Sequence, residues 1–102
     1  MIKGHAEWEG RYWFTSSTFD DKLWIFGGWK VLDNGNDQFG NLNDVWSSSD
    51  GRVWKRENDA PWQNRHAAYA WNFNNALYFS SGYGGGGTKR LYNDVWKFEV
   101  IK

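Results

Sequence analysis

Cysteine is absent from the 102 residues. That excludes disulfides, thiolate nucleophiles and zinc–cysteine sites together. Neither sign of charge is in excess: 12 Lys and Arg against 12 Asp and Glu leave +0. There is thus no electrostatic case for nucleic acid or an anionic membrane as a partner. No apolar run approaches the length of a membrane span. Met1-Ile2-Lys3-Gly4-His5-Ala6-Glu7-Trp8 has no apolar core of the kind a signal peptide needs, so the default location is the cytoplasm. Two histidines without cysteine make a dedicated metal site a poor expectation, and no cofactor is expected. Leucine and alanine at helical spacing are missing too, which leaves no convincing helix.

What is present is aromatic. Phe, Trp and Tyr make up 21% of the chain, with nine tryptophans, twelve glycines and a single proline. Aromatic residues suit a pleated, half-buried surface, and glycine-rich turns between short aromatic segments describe an all-β domain.

The aromatic segments repeat. Asn43-Asp44-Val45-Trp46 returns as Asn93-Asp94-Val95-Trp96, an offset of 94 − 44 = 50. Earlier in the chain Trp8-Glu9-Gly10-Arg11 matches Trp62-Gln63-Asn64-Arg65, an offset of 65 − 11 = 54. Phe19 to Ile25 falls on Phe73 to Phe79 at that same offset, and Gly28-Trp29 on Gly82-Tyr83. The change from 54 to 50 places a loop four residues longer between Trp29 and Leu42 of the first copy. Internal repetition at this period signals a solenoid or a propeller.

Each copy divides into short strands. The first is expected over Tyr12 to Thr18, and its copy over His66 to Asn72. Asp20-Asp21 and Asn74-Asn75 then mark hairpin turns that need positive φ. The second strand, Leu23 to Phe26 and Leu77 to Ser80, is a continuous apolar run, the pattern of burial on both faces. The third carries the tetrapeptide, over Leu42 to Ser48 and Tyr92 to Phe98. A fourth is expected at Val53 to Glu57, with no counterpart before Lys102. Aligned on both offsets, Met1-Ile2-Lys3 falls near that missing strand, so copies laid head to tail would form an almost unbroken array.

These residues resemble the kelch repeat, twice and over essentially the whole chain. The pattern is Leu23-Trp24-Ile25-Phe26-Gly27-Gly28, then Asn43-Asp44-Val45-Trp46, then Trp54. Asp44-Val45-Trp46-Ser47-Ser48-Ser49-Asp50-Gly51, with Ala60-Pro61-Trp62, is similar to a bacterial branch of that family. The second copy departs from it, with Ser80-Ser81-Gly82 in place of the diglycine. The resemblance implies two four-stranded β-propeller blades, over about residues 12–57 and 66–102, the second completed by residues 1–4 of a neighbouring copy. Propellers close with about four to eight blades. Two blades alone would leave apolar faces and strand edges bare. The expected species is therefore a head-to-tail homo-oligomer, a trimer of six blades before a dimer or tetramer.

Candidate functional residues follow from that placement. Arg11 and Arg65 precede the innermost strands, where a guanidinium fork suits a carboxylate; the competing reading is a structural pair with a neighbouring blade's carboxylate or carbonyls. Trp8, Trp62, Trp29 and Tyr83 lie in loops and offer rings for stacking, with Tyr12 and His66 beside them. Together they suggest a funnel for a saccharide or an acidic peptide, without catalysis. Kelch-like propellers also include a sialic acid mutarotase, so an acid–base role for Glu9 or His66 is the enzymatic alternative, and a purely structural ring is the third. Trp24, Trp46, Trp54 and Trp96 read as core, and Asp44 and Asp94 as acceptors for backbone at a strand entry. Asp33 to Asp37 is oxygen-rich but lacks the spacing of a calcium loop. The run Gly84 to Gly87 precedes no helix and so is not a phosphate loop.

Overall fold

The computed structural model describes residues 1–30, 40–84 and 90–99. The oxygen-rich stretch 33–37 and most of the glycine run lie outside the described residues. Among the described residues there is no helix; every regular element is a β-strand.

The first repeat is one antiparallel meander. β1 (Thr15–Phe19), β2 (Lys22–Trp29), β3 (Asn41–Ser48) and β4 (Lys55–Arg56) follow in order across the sheet. The β1–β2 turn works as the sequence predicts: Asp20 and Asp21 take φ of 56° and 55°, the paired left-handed geometry that matches strand twist. β1 starts later than expected because Trp13 has φ 57°, and Tyr12 pairs with Trp29 as an isolated bridge before it. β4 is also shorter than expected. Asp50 Oδ1 accepts the N–H groups of Arg52 and Val53 and holds them in a turn, so pairing begins only at Lys55.

The second repeat has the same register, cut in two. β5 (Arg65–His66), β8 (Tyr83–Gly84) and β9 (Arg90–Leu91) form one small sheet. β6 (Tyr69–Phe73), β7 (Ala76–Ser80) and β10 (Val95–Phe98) form the other. β5 and β6 are separated by Ala67, φ 57°, the counterpart of Trp13. β7 and β8 are separated by Ser81 and Gly82, φ 69° and 101°. In the first repeat the equivalent Gly27-Gly28 stays within β2 as a register shift.

The two repeats pack face to face. The core joins Trp24, Phe26 and Val45 of the first to Leu77 and Phe79 of the second, with Trp62 of the connection between them. Trp62 stacks on Phe79 at 4.1 Å and 14°, a geometry aromatic pairs favour. At the inner edge Ala67 N–H donates to the Trp13 carbonyl at 2.7 Å, and the Thr15 hydroxyl donates to the Ala68 carbonyl at 3.0 Å. Alanines at 68 and 70 let the inner strands come this close. Asn43 Nδ2 donates to the carbonyls of Ala60 and Trp62, tying the connection to β3.

Candidate functional site

Arg11 and Arg65 sit inside the repeats. Arg11 forms a bidentate pair with Asp44, Nη1–Oδ1 at 2.5 Å and Nη2–Oδ2 at 2.9 Å. It also donates to the carbonyls of Gly27 and Glu9. Arg65 repeats this with Asp94 at 2.7 and 2.8 Å and with the carbonyls of Ser81 and Gln63. Gln63 Oε1 accepts a further bond at 3.4 Å, so all five N–H groups of Arg65 are used. Both side chains are 1% exposed. The fork of donors expected to face a funnel is filled by the acceptors of its own repeat. The two aspartates therefore serve side chains, not a strand-entry backbone. Each also accepts an indole N–H, Trp46 on Asp44 at 2.9 Å and Trp96 on Asp94 at 2.8 Å.

The charges respond accordingly. Hydrogen bonding to Arg65 holds the Asp94 carboxyl down at about 2, against a burial cost that opposes it. Burial pushes Asp44 up, but the Arg11 and Trp46 hydrogen bonds and the Arg11 charge outweigh it and leave the carboxyl below its ordinary range.

Trp8 and Trp62 have matching structural places. Trp8 lies 6.2 Å from Trp46 and meets Trp54 edge-on at 4.4 Å; Trp62 lies 5.5 Å from Trp96 and is buried in the core.

The remaining expected ligand residues come together. Tyr12, Trp29, His66 and Tyr83 form one aromatic cluster, completed by Trp13. Tyr12 meets Trp13 at 4.3 Å and Trp29 at 5.2 Å. Trp13 stacks on His66 at 5.3 Å and 29°, and His66 meets Tyr83 at 5.3 Å. The cluster bridges the repeats at the inner-edge hydrogen bonds. Its base is Trp29, buried, and its open side is Trp13, 55% exposed, beside Tyr12. His66 Nδ1 lies 2.6 Å from Asn41 Oδ1, which fixes the plane of the ring. Burial lowers the His66 pKa from its ordinary 6.5, so the imidazole is neutral at pH 7. Glu9 lies to one side, its carboxylate 3.1 Å from Lys30 Nζ. Among the described residues no group of three or more His, Asp or Glu could hold a metal ion.

Trp13 and Asn41 are additions the repeat reading passed over. The available signal was an asymmetry: tryptophan at 13 falls on Ala67 at the 54-residue offset. A bulky aromatic at positive φ is strained, and such strain collects at functional sites.

No family model and no curated protein matches the sequence. Among solved structures the chain is similar in fold to YjhT, with a TM-score of 0.55 and 22% identity over 72% of this chain. The chain spans only 21% of YjhT's length. At that identity the likeness is one of fold, and this is an all-β protein of two repeated units.

Proposed function

We propose that the chain is a non-enzymatic binding module of the kelch-repeat type. Its repeats are propeller blades, further copies complete the ring, with a homotrimer of six blades the preferred form, and its ligand is a saccharide held on the Tyr12–Trp13 face. One observation carries the ligand reading: Trp13 is held at φ 57° with its ring on His66, and the residue is 55% exposed. A large apolar ring kept in water at a backbone cost needs a use. Aromatic faces bind the C–H faces of sugars, and the fixed His66–Asn41 pair supplies polar atoms beside them. An acidic peptide is the weaker candidate, because the guanidiniums that would receive it are already paired. The kelch reading rests on the repeated motifs, and the propeller reading on the four-stranded antiparallel meander and the face-to-face packing of the repeats.

A neutral His66 favours one second reading. An uncharged imidazole can take a proton, as a mutarotase-like reaction on a sugar's anomeric hydroxyl requires. The test begins with a glycan array, followed by tryptophan-fluorescence titration of the best sugar. Trp13→Ala is expected to weaken binding at least tenfold while the solution mass stays unchanged. Absence of binding to every sugar overturns the saccharide reading and leaves a structural ring. Faster anomer exchange by NMR, lost in His66→Phe, replaces binding with catalysis.

A further inference from the structure

We propose that the open face of the second repeat is covered by the first repeat of another copy, in the same register that joins the two repeats within one chain. This rests on the assembly proposed above and supplies its interface. Each sheet has a leading face and a trailing face. On the first repeat the leading face carries Thr15, Phe26 and Val45 in one row and Ser17 and Trp24 in the next. It is shut against the second repeat: Val45 is 4% exposed and Phe26 3%. The same positions of the second repeat are Tyr69, Ser80 and Val95, then Trp71 and Tyr78. There Tyr69 is 70% exposed and Val95 64%. One structural slot is thus core in one repeat and, around a buried Ser80, largely open in the other, and the open residues, Tyr69, Trp71 and Val95, are aromatic and apolar, the composition of an interface centre.

The occupant follows from what fills the slot inside the chain. Within the chain it is a trailing face, that of Ala70, Phe79 and Trp96. The trailing face of the first repeat carries Ser16, Ile25 and Trp46; its inner strand is open, with Ser16 and Thr18 exposed, while Ile25 is buried and Trp46 half-buried. Trp62 lies on Trp96 and reaches Phe26 across the repeat boundary at 6.2 Å. Trp8 lies on Trp46 in the same way, positioned to reach the partner's Ser80. The inner edge is prepared as well. Trp13 and Ala67 share φ 57°, and within the chain Ala67 N–H donates to the Trp13 carbonyl. In the docked pair the roles reverse, with Trp13 N–H donating to the carbonyl of the partner's Ala67. Because the leading and trailing faces differ, the contact is heterologous and propagates into a ring or a filament.

The test uses one exposed position on each face, Val95→Arg and Ser16→Arg, with solution mass read by light scattering and folding by circular dichroism. Tyr69→Glu and Thr18→Glu serve as the second pair if either arginine variant unfolds. Each variant alone is expected to be a folded monomer while the wild type is a defined oligomer. An equimolar mixture of the two is expected to form a 1:1 dimer, since each supplies the face the other lacks. If the wild type is a folded monomer at high concentration, the assembly itself fails. If the wild type assembles but Ser16→Arg assembles equally well, or the mixture stays monomeric, assembly stands and this docking is overturned.

Discussion

The two repeats share one polar interior and differ at every surface around it. In both, an arginine at the start of the repeat grips the aspartate of the Asn-Asp-Val-Trp segment and the carbonyl of Gly27 or Ser81, and an indole N–H donates to that same aspartate. Among the described residues the first repeat adds a continuous β2, a fourth strand and a covered leading face. The second has split strands and an exposed leading face. The lesson is that the clamp sets the architecture of a repeat and the neighbours set its regularity. A buried charge must be paired wherever it occurs, so the arginine, its aspartate and the indole recur in both repeats. Strand length and face composition answer to whatever packs against them, so they diverge.

The largest expected effect comes from breaking the clamps unequally. Arg65 uses all five N–H groups, and its guanidinium carbon lies 4.0 Å above the Tyr92 ring. Leu42 occupies the Tyr92 position in the first repeat at the 50-residue offset, so no ring backs Arg11 there. Removing one partner of a buried pair costs about 3–5 kcal/mol. Arg65→Met is expected at the upper end of that range and Arg11→Met at the lower, by urea midpoint at fixed protein concentration. An equal loss in both would mean that Tyr92 adds nothing and that the repeats are energetically interchangeable.

A smaller effect separates the second-strand ends. Gly27 and Ser81 occupy one slot with φ of 54° and 69°. A Cβ at Gly27 would lie 2.8 Å from the Leu42 carbonyl and 3.0 Å from that of Arg65, and Arg65 belongs to the neighbouring repeat. Gly27→Ser is therefore expected to cost about 1–3 kcal/mol, as overpacking against backbone does. Ser81→Gly removes a left-handed side chain but adds chain entropy, and is expected to change stability by less than about 1 kcal/mol. If Gly27→Ser is as mild as Ser81→Gly, the close approach of the repeats does not require glycine.

Much of this was legible in the sequence because it was written twice. The repeat offsets placed each hairpin turn, and Asp20-Asp21 and Asn74-Asn75 all adopt the positive φ their turn requires. The all-β class followed from aromatic content and the lack of helical spacing. The fate of Arg11 and Arg65 was half legible: a structural pair was one of two readings, but its partner, the aspartate of the same repeat, is a contact 33 or 29 residues away. Pattern alone does not measure that separation. The aromatic cluster was legible in four of its members and hidden in the fifth. Trp13 stands where the second repeat has Ala67, and a ring with no ring at the matching position cannot be found by looking for shared residues.

The mildest prediction sets the carboxylates of the two clamps against acid. Asp94 has a folded pKa of about 2 against an ordinary 3.8. A depressed folded pKa contributes stability that is full above 3.8 and lost as pH falls towards 2, because the unfolded chain takes up the proton first. Its side chain is 31% exposed against 12% for Asp44, so solvent screens the pair and the loss is expected to be about 1–2 kcal/mol. His66, held low by burial, contributes in a separate window, with stability present above 6.5 and falling below it. A stability profile should therefore show two descending limbs on acidification. Asp94→Asn should flatten the lower limb and leave the upper one, and His66→Phe should do the reverse. A lower limb that survives Asp94→Asn would assign acid sensitivity to the other carboxyls held low by their hydrogen bonds, Asp44 in the clamp of the first repeat or Asp50 and Glu7 on its surface.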